Sequence, residues 1–145
     1  MDQMIFVNLP VTDVERSKAF YAAIGATNNP QFSDASAAMM SFSRAVNVMV
    51  LSHARFSSFT TREIVDAHRQ AQVLLALSRE DRAAVDRTVD QAVAAGGTAD
   101  PTPKQEFGEA MYGRSFTDPD GHIWELMWMD VAAMTAAMSA RQAQA

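Results

Sequence analysis

Arg114-Ser115-Phe116-Thr117-Asp118-Pro119-Asp120-Gly121-His122-Ile123-Trp124-Glu125-Leu126-Met127-Trp128-Met129-Asp130 reads as two extended runs joined by a tight turn. Pro119 presets the φ of a type I turn, and Gly121 takes the position that needs φ > 0. Side chains alternate along a strand. His122, Trp124, Leu126 and Trp128 therefore share one face, and Ile123, Glu125, Met127 and Met129 the other. Glu125 is a lone carboxylate among apolar neighbours. Such a charge is edge-exposed, paired with a cation such as Arg114, or lining a cavity that uses an oxygen ligand or base.

Upstream of this hairpin the chain follows one pattern twice. Residues 4–11 form a strand with Ile5, Val7, Leu9 and Val11 on one face and Met4, Phe6, Asn8 and Pro10 on the other. Pro10 places it at an edge or at its end. Thr12 and Glu15 make a capping box for a helix that carries Val14, Ala19, Phe20, Ala23 and Ile24 and stops at Gly25. Asn28-Asn29-Pro30 reads as a loop, followed by short extended pieces around residues 31–32, 37–42 and 47–51. Residues 53–71 read as a connection, with Thr60 or Thr61 capping a short helix from Arg62 to about Arg69. The pattern restarts with a strand at residues 72–77, where Gln72, Leu74 and Ala76 share a face. A capping signal at residues 78–81 and a helix ending at Gly96-Gly97 come next. Extended pieces at residues 105–107, 111–118 and 122–129 complete it. Asp130 caps a last Ala- and Met-rich helix whose tail, residues 141–145, frays.

The order strand, helix, short strands, twice over, implies an α+β fold in one domain spanning residues 1–145. A first module covers residues 4–52, a connection 53–71, a second module 72–130, and a terminal helix and tail 131–145. One helix covers one face of each small sheet, so the remaining faces are expected to close around a shared cavity, with Phe6 and Asn8 near Gln72, Leu74 and Glu125.

Composition narrows the function. A net charge of −5 without basic stripes argues against nucleic acid and anionic membrane surfaces. No apolar run is long enough to span a bilayer. The first residues show no basic stretch followed by an apolar core, so no signal peptide is expected. The lack of cysteine removes thiolate chemistry and disulfides and fits a reducing cytoplasm. Ten methionines suit an adaptable interior or an irregular apolar pocket.

Val7-Asn8-Leu9-Pro10-Val11-Thr12-Asp13 leading to Ser17-Lys18-Ala19-Phe20-Tyr21 and Gly25, taken with Phe116 through Leu126, resembles the vicinal oxygen chelate superfamily of glyoxalase I, bleomycin resistance proteins and extradiol dioxygenases. The resemblance implies paired βαβββ modules forming a cup-shaped mixed sheet, and a homodimer in which the cup can use both chains. It implies up to four metal-ligand positions: Phe6, Val50 or a near neighbour, Gln72 and Glu125. Of these, Glu125 and Gln72 carry oxygen donors, whereas Phe6 and Val50 do not. Asn8, Leu74, Met111, Tyr112, Arg114 and Met127 are expected around the cup.

Two readings follow. One is a binding protein of the bleomycin-resistance kind, in which Glu125 and Gln72 orient a small apolar or oxygen-bearing ligand. The other is a Ni²⁺-, Zn²⁺-, Mn²⁺- or Fe²⁺-dependent enzyme, a lyase of lactoylglutathione lyase type or a dioxygenase. There the ion would hold vicinal oxygens and Glu125 would move a proton.

Overall fold

The computed structural model describes residues 2–105 and 108–144. The elements run β1 (Ile5–Val11), α1 (Val14–Ala23), β2 (Thr27–Asp34), β3 (Ala37–Ser41), β4 (Val46–Ser52), α2 (His53–Ser57), β5 (Leu75–Ser78), α3 (Arg82–Ala94), β6 (Thr98–Ala99), β7 (Met111–Thr117), β8 (Ile123–Met129) and α4 (Val131–Gln144). They build two four-stranded mixed sheets, ordered β1-β4-β3-β2 and β5-β8-β7-β6, in an α+β fold. β1 pairs parallel to β4, and β5 parallel to β8; the other pairings are antiparallel.

Several local expectations shift. The N-cap of α1 is Asp13, which accepts the Arg16 N–H at 3.0 Å, not Thr12. Thr12 is drawn away by Asp120, whose Oδ1 accepts both its backbone N–H and its hydroxyl at 2.9 Å. Asp81 caps α3 while Ser78 stays in β5. Asn28, Asn29 and Pro30 lie within β2, an edge strand whose register breaks between Asn29 and Asp34, so the missing N–H of Pro30 is tolerated. No helix forms at residues 62–69. Thr60 does accept the Arg62 N–H, but the short helix falls earlier, behind Ser52. The turn around Asp66–Arg69 instead seats on Gly121, where a Cβ would lie 2.6 Å from the His68 nitrogen. The strand expected from Gln72 starts only at Leu75, leaving Gln72 and Leu74 before it. β6 had no sequence signal. Of the piece expected at residues 105–107, Gln105 is not in a strand and the other two lie outside the described residues. Helix α4, opened by Asp130, continues to Gln144 through the expected frayed tail.

The arrangement of the two sheets differs from the expected closure. One buried cluster contains Leu9, Val11, Val48 and Val50 of the first sheet, Phe116, Trp124 and Leu126 of the second, Phe20 and Tyr21 of α1, and Val85 and Val89 of α3. The helix-bearing faces thus share a core. By alternation, the faces carrying Phe6, Asn8 and Met49 and carrying Glu125 and Met127 are both turned away from it. Within one chain they do not close over each other.

The closing turn joins the halves. The Trp124 indole donates to the Tyr21 hydroxyl at 3.0 Å, which donates to Asp118 at 2.7 Å. Burial, and then the neighbouring Asp118 charge, push the Tyr21 phenol well above its ordinary range, so it stays a neutral donor. Asp120 receives Thr12 and the Arg16 guanidinium, and His122 Nε2 lies 2.8 Å from the Pro10 carbonyl. Gly97 is required by close approach: a Cβ there would lie 2.2 Å from the Thr117 carbonyl oxygen and 3.0 Å from the Phe20 ring.

Two outcomes follow. Tyr21→Phe leaves Trp124 and Asp118 short of a buried partner and should lower unfolding stability by about 1–3 kcal/mol in urea at an unchanged m-value; a change under about 0.5 kcal/mol would show that the relay contributes nothing net. Gly97→Ala should destabilise by about 1–3 kcal/mol through overpacking, and a neutral melting temperature would contradict it.

Candidate functional site

The β7–β8 ladder places Ser115 directly opposite Glu125, with Ala76 of β5 opposite Glu125 on its other side. Gly113, Ser115, Glu125 and Met127 share the face turned from the core. With Asp100, Thr102, Pro103, Lys104 and Gln105 as a wall, they line a cavity of about 420 Å³. Glu125 is half-buried there, and among the described residues nothing hydrogen-bonds or ion-pairs with its carboxylate. A carboxylate so placed is a ready acceptor for a ligand N–H or O–H.

Arg114 does not pair with Glu125. It faces Leu126 in the ladder and so points to the helix side. Its guanidinium donates from Nε and Nη2 to the two oxygens of Asp100 at 3.1 and 2.7 Å, and from Nη1 to Asp86 at 3.2 Å. The hydrogen bonds from Arg114 hold the Asp100 carboxyl below the usual carboxylate range. Tyr112 is on the same side; its hydroxyl donates to Asp86 at 2.6 Å, which raises its phenol, and Arg82 lies over the rings of Tyr112 and Trp128. Both residues also border the cavity, while their side-chain polar groups are engaged by Asp86 and Asp100.

The other expected cup residues separate. Asn8 and Gln72 come together in a second cavity of about 590 Å³, with Phe56, Ile64, Val65 and Ile123. Phe6 is 48% exposed on the outer face of β1, and Leu74 is 51% exposed ahead of β5; neither lines the Glu125 cavity. Val50 is fully buried in the shared core, because it follows the inward alternation of Val48. Its outward-facing neighbour is Met49, paired with Asn8. Met111 shares the face of Glu125 but lies beyond the cavity, opposite Met129. Gln72 and Glu125 therefore line different cavities. His53, His68 and His122 line a third, with Asp66 and Asp120.

This donor set does not fit a divalent cation. Glu125 offers one carboxylate, Gln72 an amide in another cavity, and Phe6 and Val50 nothing. Among the described residues no three His, Asp or Glu groups come together as a metal-binding set. Ser115, Thr102 and Asp100 were missed in the sequence reading. Counting across the Asp118–Gly121 turn would have found Ser115 opposite Glu125; Asp100-Pro101-Thr102-Pro103 reads locally as a rigid loop, with nothing in it to place the wall beside Glu125.

A search of curated proteins finds no match. Among solved structures, the chain is similar to the hypothetical protein SA1046 from S. aureus, with 26% identity and a TM-score of 0.70 over 88% of this chain and 94% of that one. It is also similar to a glyoxalase/bleomycin resistance protein/dioxygenase family enzyme from Burkholderia phytofirmans PsJN (18%, TM-score 0.71, 87% and 98%). A third is a mutant of the fosfomycin resistance protein FosX from Listeria monocytogenes, solved in complex with Mn(II) and 1S,2S-dihydroxypropylphosphonic acid (18%, TM-score 0.62, 87% and 89%). These likenesses accompany a family match over residues 3–126, most of the chain. With that match and the two βαβββ sheets just described, the chain belongs to the glyoxalase/bleomycin resistance protein/dioxygenase superfamily.

Proposed function

We propose that this chain is a cytoplasmic small-molecule-binding member of its superfamily that holds an apolar-bodied ligand over the Glu125 face of β7 and β8. The observation that carries the reading is the half-buried carboxylate without a protein partner among the described residues, beside Ser115 and Met127 in a cavity of about 420 Å³. A cavity in which Met127 lies beside a carboxylate without a partner among the described residues suits a ligand with a compact apolar body and an N–H or O–H donor. The absence of any cysteine supports the compartment. The metal-dependent readings, a lyase of lactoylglutathione lyase type or a dioxygenase, would need a donor set beyond Glu125 and Gln72, which Phe6 and Val50 cannot complete.

A second copy of the chain completes the cup in this proposal. Both outward sheet faces expose apolar side chains, among them Phe6, Leu74 and Met129. The faces lie on the sides of their sheets away from the common core, so the first sheet of one copy can cover the second sheet of another. That brings Phe6 and Asn8 of one copy towards Glu125 of the other.

Benzamidine and benzyl alcohol, which pair an aromatic ring with a donor, should bind and shift the amide signals of Ser115 and Glu125; benzoate should not. Glu125→Gln should weaken benzamidine by roughly 10- to 100-fold, the range of a hydrogen bond to a charged group. Equal binding by the variant would remove Glu125 from the site. A melting-temperature rise with Mn²⁺, Ni²⁺, Zn²⁺ or Fe²⁺ that is lost in Glu125→Gln would overturn the metal-independent reading. In sedimentation velocity the protein should run as a dimer and Phe6→Asp as a 15.8 kDa monomer with weakened benzamidine binding. A monomeric native chain would rule out the shared cup.

A further inference from the structure

The wall of the Glu125 cavity is a strap whose attachment is unusual. The β6–β7 ladder ends at Ala99 opposite Phe116, and one more backbone bond follows, from the Asp100 N–H to the Ser115 carbonyl at 2.8 Å. At Asp100 the chain turns with φ +54°, the one left-handed non-glycine among the described residues, and Pro101 follows with its fixed φ. The strap then passes from one face of β7 to the other. Arg114 and Ser115 are consecutive in β7 and so point to opposite faces. On the helix side, Arg114 grips both oxygens of Asp100. On the cavity side, the Ser115 hydroxyl oxygen accepts the Thr102 N–H at 3.3 Å, and the Thr102 hydroxyl lies 2.8 Å from it. Two adjacent residues thus staple the strap around the strand, one on each face, and between them set where Thr102, Pro103, Lys104 and Gln105 stand beside Glu125.

We propose that Arg114 is a positioning residue for the Glu125 site, its guanidinium acting through Asp100 and not through the ligand; this rests on the binding reading above. A left-handed aspartate followed by proline is strained, and such a conformation persists only where its surroundings over-determine it. The two-pronged guanidinium–carboxylate pair supplies that restraint, with a directionality that an ammonium lacks. Asp86 of α3 also accepts from Arg114, so the guanidinium is itself aimed, and the wall of the cavity is referenced to the helix beneath the sheet. Without the clasp, Asp100 relaxes towards φ < 0, the Thr102–Ser115 contact is lost, and the wall moves off the ligand. The Arg114 guanidinium then shapes specificity from the face of β7 opposite Glu125.

The test uses benzamidine titrations and amide hydrogen exchange on the full chain. Arg114→Met and Asp100→Asn should each weaken benzamidine by roughly tenfold, and the double variant no further than Arg114→Met, which already removes the Asp100 pair. Arg114→Lys should fall between, since it keeps the charge and loses the fork. Exchange at Thr102, Lys104 and Gln105 should quicken in these variants, while β8 amides keep their native protection. Asp100→Asn leaves the Arg114–Asp86 pair in place, so it remains usable if Arg114→Met folds poorly; because Asp100 itself borders the cavity, neutral benzyl alcohol should weaken alongside benzamidine when the strap moves. If the native protein binds benzamidine through Glu125 and Asp100→Asn binds it equally well, the positioning role is wrong. Unchanged exchange at Thr102 in Asp100→Asn overturns it independently of any ligand. If benzamidine fails to bind the native protein, or binds Glu125→Gln equally, the binding reading itself falls and this inference with it.

Discussion

The structure depends on the grip that the Asp118-Pro119-Asp120-Gly121 turn takes on the first helix. Both of its carboxylates reach the other half of the chain. Asp118 receives the Tyr21 hydroxyl, and Asp120 receives Thr12 and Arg16 at the start of α1. A carboxylate beside a helix N-terminus meets the unsatisfied N–H groups and the positive end of the helix dipole. Asp118 is buried, and burial raises its pKa; the His122 N–H and the Tyr21 hydroxyl oppose that shift by hydrogen-bonding the charged form. A buried carboxylate is tolerated only with such partners, so the turn and the helix require each other.

That grip decides which way the sheets face. With the turn of the second module bound to the helix of the first, the aromatic side chains Phe20, Tyr21, Phe116 and Trp124 pack into one cluster, Phe116 stacked on Trp124 with ring centroids 6.4 Å apart. One face each of α1 and α3 is buried against that cluster, and the remaining sheet faces look away from it. Glu125 is one residue from Trp124 in sequence and on the opposite face of the strand. The core that buries Trp124 is therefore also what presents the carboxylate to the cavity.

The electrostatics of the second sheet divide along the same line. On the helix side Asp86, Asp100, Arg82, Arg114 and Tyr112 satisfy one another. On the cavity side Glu125 has no such partner among the described residues. One strand, β7, carries both environments because its side chains alternate, and the strap at residues 100–105 is attached to both.

The sequence by itself determined the elements and their faces. Strand alternation separated Glu125 from Trp124, and Gly25, Gly96 and Gly121 marked turns that do adopt positive φ. The doubled strand–helix–strands order and the Asp-Pro-Asp-Gly hairpin were enough for the fold and the family, because these are periodicities and turn rules that act over a few residues. Only the tertiary structure decided what meets across space. It moved the cap of α1 from Thr12 to Asp13, because Asp120, 108 positions away, claims Thr12. It sent Val50 into the core, set Asn8 and Gln72 in a cavity apart from Glu125, and turned Arg114 from the carboxylate beside which it had been placed to Asp100 and Asp86. A side chain's face follows from local geometry, but its partner depends on how two sheets dock, and that is settled by the burial of a common core.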